Sequence, residues 1–156
     1  MIDEEKRRRL AKRDENRRRE MENLRLFQAN VEATMDAIEH DFGEFDRMRR
    51  LGENIAGWLP FRAYNAVREA DKQAVWVADS GLIPHWKRIR DNVTELLAAI
   101  EAQRFSASVP EPSRAAFGSI YQDAFATMRR NRDAYIQFNE VLEAAVLSIK
   151  HSAGGA

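Results

Sequence analysis

The sequence predicts an all-α protein: an antiparallel four-helix bundle with long first and last helices, preceded by a protruding charged helical arm. Three observations predict it. Apolar residues recur at spacings of three, four and seven from Leu24 to Ile55. A seven-residue repeat runs from Phe117 to Ile149. Glycine and proline punctuate the chain mainly between such stretches, apart from Gly43, Gly52 and Gly118 and the small C-terminal tail.

The first predicted helix covers residues 3–56. Asp3 is its N-cap, and Glu4 and Glu5 sit in the first turn, where the helix dipole favours acids. Up to Arg19 the only sizeable apolar residue inside the helix is Leu10. Four pairs at i,i+4, namely Glu4–Arg8, Glu5–Arg9, Asp14–Arg18 and Glu15–Arg19, support this coreless stretch. From Leu24 one face is apolar: Leu24, Phe27, Val31, Met35, Ile38, Phe42, Phe45, Met48 and Ile55. Gly43 interrupts that run and marks a candidate bend.

Two connectors share one grammar, Gly57-Trp58-Leu59-Pro60 and Gly81-Leu82-Ile83-Pro84. In each the glycine suits the left-handed position that ends a helix, and the proline suits the first turn of the next. Between them lies a helix over about 60–79, with Tyr64, Val67, Ala74 and Val77 on one face. The third core helix covers about 84–104 and aligns Trp86, Ile89, Val93, Leu96, Leu97 and Ile100. Pro110 and Pro112 mark a loop, and Ser113 is an N-cap for a last helix over about 114–151. That helix repeats Phe117, Ala124, Asn131, Phe138 and Ala145 in one seam position and Tyr121, Met128, Tyr135, Leu142 and Ile149 in the other. The organisation is then an arm (1–20), a bundle (21–151) and a flexible glycine-rich tail (152–156).

The first and last stripes match in length, at about 50 Å each, which pairs them antiparallel. Setting Ile55 opposite Phe117 makes partner numbers sum to about 172 and puts Asn131 opposite Asp41. Both interrupt apolar seams, and Asp71 interrupts the second helix in the same way. The sequence therefore suggests a core polar layer of Asp41, Asp71 and Asn131, with His40, Arg129, Arg130 and Arg132 near enough to neutralise it. A buried Asn commonly fixes helix register, so the structural role of this layer outweighs a ligand site.

The chain has 156 residues, the size of one ordinary domain, with 25 basic and 25 acidic side chains. Bulk charge thus argues for neither nucleic acid nor membrane. The arm departs from that balance. It holds nine basic residues, Lys6, Arg7, Arg8, Arg9, Lys12, Arg13, Arg17, Arg18 and Arg19, against six acids. It is a candidate electrostatic tether to nucleic acid or an anionic surface, opposed by the plainer reading of a solvated, self-paired helix. Further basic clusters at Arg47, Arg49 and Arg50, at Lys87, Arg88 and Arg90, and at Arg129, Arg130 and Arg132 read as outer helix faces. The connectors concentrate Trp58, Leu59, Phe61, Trp76, Leu82 and Trp86, which either cap the bundle or form an apolar interface.

Without cysteine there is no disulfide and no thiolate chemistry. His40, His85 and His151 never follow a Glu by three residues, so the di-iron bundle pattern is missing, and no metal or cofactor is expected. No nucleophile elbow, P-loop or dinucleotide fingerprint occurs. The expectation is a cytoplasmic, non-enzymatic assembly protein, a scaffold or adaptor, working through helix–helix contacts with a protein partner or with itself. The alternatives are a nucleic-acid-associated protein using the arm, and a ligand- or metal-binding bundle built on the polar layer. No membrane insertion is expected, because no apolar run approaches about 20 residues.

Overall fold

The computed structural model describes residues 2–106 and 111–154, with side chains at 3–106 and 118–152. Four α-helices and one 3-10 turn account for the elements: α1 (Ile2–Arg50), α2 (Phe61–Ala74), the turn Val75–Ser80, α3 (Ile83–Ser106) and α4 (Glu111–Gly154). There is no strand among the described residues, and no helix among them is long and apolar enough to cross a membrane.

Helix α1 runs unbroken through Gly43. Its first turn holds Asp3, Glu4 and Glu5 and its last turn Arg47, Arg49 and Arg50, the arrangement that opposes the helix dipole at both ends. The helix stops at Arg50, six residues before the expected end. The reason is Gly52, whose φ of 71° is left-handed. Its amide donates to the Arg49 carbonyl at 3.2 Å, and the Glu53 amide donates to Met48 at 3.0 Å. These two bonds are those of a Schellman cap. Gly57, expected to end the helix, has no such backbone and lies in the loop. Ile55 is still buried at 8% exposure, but it returns to the core from that loop rather than from the helix.

Gly81 does what its motif predicts. With φ at 78° it ends the 3-10 turn, and Pro84 follows in the first turn of α3. Residue Val77, at φ −122° and ψ 20°, breaks the helical path just before it. Helix α2 buries Ala63 and Ala70 completely, with Val67 and Ala74 half-buried, while Tyr64 stays 40% exposed. Val67, Ala74 and Val77 thus face inward as expected, and Ala63 and Ala70 take the place expected of Tyr64. Alanines on that face leave little side chain between α2 and its neighbour.

Helix α4 begins at Glu111 rather than after Ser113, so Pro112 occupies its first turn. The expectation for Phe117 falls outside the described side chains. From Tyr121 to Leu142 the seam buries Tyr121, Ala124, Met128, Asn131, Phe138 and Leu142. Beyond that the stripe drifts. Val146 is buried at 1% exposure, whereas Ala145 and Ile149 are only partly covered. An ordinary α-helix slips by about 20° per heptad against a strict seven-residue repeat, which moves the inner face in this direction. The helix also continues to Gly154, past the expected fraying at His151. There Arg17 of α1 donates to the Ser152 carbonyl at 2.9 Å and satisfies a helix-end acceptor.

Numbers rise along α1 as they fall along α4: Arg25 meets Glu143, Gln28 meets Asn139, Glu39 meets Arg132 and Asp46 meets Tyr121. These partners sum to between 167 and 171, below the expected 172. The expected value was anchored on Ile55, which is not in the helix. Phe27 binds three helices together, edge-on to Trp86 of α3 at 6.0 Å and to Phe138 of α4 at 5.6 Å.

Gly43 is exposed, helical and without a neighbour within 4 Å of an added Cβ. Gly43→Ala should therefore stabilise the protein by about 0.5–1 kcal/mol. Gly52→Ala, at a positive φ, should destabilise it by about 1 kcal/mol. Urea unfolding of the two variants checks both signs.

Candidate functional site

Three groups of residues stand out as candidates: the buried polar side chains, the apolar residues at the two connectors, and the arm.

The three residues of the expected polar layer have separate partners. Asp41 is 4% exposed, and its Oδ2 accepts a 2.9 Å hydrogen bond from the Ala63 amide. Ala63 is the third residue of α2, whose own N-cap position, Pro60, has no side-chain cap. Asp41 therefore caps α2 from another helix, satisfying one of its free N–H groups next to the positive end of its dipole. Asn131 is fully buried and donates to the Met35 sulfur at 3.3 Å, while its Oδ1 has no partner. Asn131 and Asp41 thus bond different partners, the one Met35 of α1 and the other the start of α2. Asp71 is 41% exposed and clasps α3, accepting from Trp86 Nε1 at 2.8 Å and from Arg90 at 3.3 Å. The expected single layer is thus three sites with three sets of partners. Nor do the expected neutralising cations serve it: Arg130 pairs with Glu95, Arg132 with Glu39, and His40 is exposed. Among the described residues no group of three or more His, Asp or Glu is placed to hold a metal ion.

A fourth polar site escaped the sequence reading. Tyr121 is 1% exposed and donates its phenol proton to Asp46 at 2.8 Å. Asp46 also takes Arg49 at 3.3 Å and Arg50 at 3.0 Å, and the Arg49 guanidinium lies 4.4 Å above the Tyr121 ring. Around them Phe42, Phe45 and Phe125 pack within 6 Å of the same ring, and Trp58 packs on Phe45 at 5.4 Å. A phenol held by a neutralised carboxylate inside aromatic walls is a structural lock, since Asp46 has its partners and nothing reactive faces it. Tyr121 stood in the heptad as an apolar seam residue, and Asp46 three residues before Arg49 was the only hint of its partner.

The apolar connector residues divide. Leu82 and Trp86 are buried at 0% and 2% exposure, and Trp58 is half-buried. These cap the core. Leu59, Phe61 and Trp76 face outward, with Trp76 68% exposed and its neighbour Val75 73%. Beside Trp76 opens a cleft of about 380 Å³ between the 3-10 turn, α1 and α4, whose apolar walls include Leu24, Val77, Ala145 and Ile149. Glu20 and Asp79 also line it.

In the arm, every side chain from Asp3 to Asn16 is exposed. Glu15 and Arg19 close at 3.3 Å as expected, but Asp14 turns to Arg17 at 3.5 Å rather than to Arg18. Among the described residues, Glu4–Arg8 and Glu5–Arg9 do not close into ion pairs. Of the nine cations only Arg17 is held by another element.

Comparison with known proteins finds no matching family model, no similar curated protein and no similar solved structure.

Burial foremost, and then the hydrogen bond to Asp46, push the Tyr121 phenol above its ordinary range, with Arg49 acting the other way. A raised folded-state pKa contributes stability that is complete below the unfolded value, about 10, and is lost as pH rises through the folded one. Stability should therefore fall above about pH 10. Tyr121→Phe should flatten that fall and cost about 1 kcal/mol at neutral pH, since Asp46 keeps both arginines. Urea midpoints at neutral and alkaline pH read both effects.

Proposed function

We propose that this protein is a non-enzymatic assembly protein, an antiparallel four-helix bundle with a free N-terminal arm, that acts through helix–helix contacts between copies of itself. The observation that carries the reading is the exposed Trp76 ridge, which forms one wall of a cleft of mixed apolar and polar lining. A solvent-exposed Trp next to Val75, flanking a cleft walled by Leu24 and Ile149, is the composition of an interface centre. Ridge and cleft lie side by side on one surface. A twofold axis beside them lets each copy set its Trp76 into the other's cleft, which is the self-complementary geometry of an isologous dimer. A formal net charge of zero lets identical chains approach without long-range repulsion.

The buried polar residues support the same reading from the other side. Asp41, Asp71 and Tyr121 are each engaged in joining one helix to another. Their chemistry is accounted for by the fold, which leaves the surface features to act.

Light scattering on the full-length chain should give the mass of a discrete oligomer. Trp76→Ala with Val75→Ser should weaken association by about 30-fold, the ~2 kcal/mol expected of an interface Trp, while the helical circular dichroism stays unchanged. Both side chains are exposed, so the substitutions leave the core intact. A monomeric wild-type chain, or an oligomer that the double variant does not loosen, contradicts the reading.

A further inference from the structure

We propose that the arm is a one-sided binding surface for the phosphate backbone of double-stranded nucleic acid. Self-association through the Trp76 ridge does not require it, and the two stand or fall separately.

The first observation is the arm's isolation. From Asp3 to Asn16 its side chains are exposed, and among the described residues none of them bonds to another element. Arg17, the first residue tied to the rest of the fold, is held by the Ser152 carbonyl. Because α1 is one continuous helix, the arm is an outward continuation of a rigid spine.

The second observation is how its charges sort around the helix. At about 100° per residue, a little over half of the circumference carries Lys6, Arg8, Arg9, Lys12, Arg13 and Arg19, with only Glu5 and Glu20 among them. Arg17 shares this side but is committed to α4. The other side carries Asp3, Glu4, Asp14 and Glu15 against Arg7 and Arg18. Leaving Arg17 aside, the first side is net +4 and the second net −2. The near balance of charge along the chain hides this division. A self-paired solvated helix has no reason to divide its charges in this way, whereas a helix lying along a line of phosphates does.

The partner's class follows from what the arm lacks. Its one large apolar side chain within 3–20 is Leu10, 42% exposed, too little to lie in a membrane interface. It has no aromatic residue on which unpaired bases could stack. Lys6 to Arg19 span about 20 Å, along which a duplex presents a dense, regular row of phosphates. Four of the six cations on this side are guanidiniums, Arg8, Arg9, Arg13 and Arg19, whose forked geometry suits phosphate and binds that row through charge-assisted bonds, and Lys6 and Lys12 add two ammoniums.

Fluorescence anisotropy of a labelled duplex DNA of roughly 20 base pairs, titrated with the full-length protein at several salt concentrations, tests this. Binding should weaken with a log–log salt slope of about −4, from the six cations of this side offset by its two acids, with the exposed Arg19–Glu15 pair opening to meet phosphate. Arg9→Gln with Arg13→Gln should lose at least about tenfold in affinity and make the slope shallower by about 2. Arg7→Gln with Arg18→Gln, on the other side, should stay within about twofold of the wild type. All four positions are exposed, so folding is not at stake. Absent or salt-independent binding, equal loss in both double variants, or binding only to phosphatidylserine vesicles overturns the proposal.

Discussion

A single buried carboxylate constrains how this chain returns on itself. Asp41 sits inside α1 at 4% exposure, and a charge there is tolerable only with a partner. The partner is the amide of Ala63, 22 residues on, at the start of a helix that has no cap of its own. The bond fixes where α2 begins along α1. From that point the two fully buried alanines, Ala63 and Ala70, can approach closely, and the turn at Val75–Ser80 is delivered to the far end of the short helix. Removing the carboxylate leaves an N-terminal amide buried and unpaired, and such groups cost about 1–3 kcal/mol.

The other polar contacts repeat this logic between different helices. Asp71 joins α2 to α3 through Trp86, Tyr121 joins α4 to α1 through Asp46, and Arg104 pins the loop to α3 through the Ala56 carbonyl at 2.7 Å. Asn131 is incompletely satisfied, with an orphaned Oδ1 in the core. Its position in the α4 seam matches the use of a buried amide to fix register at some cost in stability. The contacts proposed with other molecules are therefore placed outside the core, at the Trp76 ridge and at the arm.

Much of the fold was legible in the residues. Period and punctuation placed four helices, and the stripes of α1, α3 and α4 named most of the buried side chains, from Phe27 and Ile38 to Trp86 and Phe138. What was not legible has physical causes. Gly52 and Gly57 look alike as letters, and only backbone dihedrals show which of them closes the helix. Tyr64 seemed a better core residue than Ala63, but on α2 the smaller residue faces inward. Asp41, Asp71 and Asn131 were singled out as polar interruptions of apolar stripes; Asp41 and Asn131 are buried, while Asp71 is 41% exposed. They do not share partners: Asp41 bonds the start of α2, Asp71 bonds Trp86 and Arg90 of α3, and Asn131 bonds Met35. Tyr121 with Asp46 was missed since a heptad treats Tyr as apolar and says nothing of its hydroxyl. The sorting of arm charges was present in the sequence throughout, concealed by their near balance.

The most direct test of this account is residue-resolved amide hydrogen exchange at Ala63. If Asp41 is the cap of α2, the Ala63 amide exchanges slowly in the wild type and keeps much of that protection in Asp41→Asn, whose side-chain oxygen still accepts. In Asp41→Ala the protection at Ala63 collapses, while amides in the middle of α3 remain slow. Fast exchange at Ala63 in the wild type, or the same protection in Asp41→Ala, would contradict the account and return Asp41 to the list of residues free for a ligand.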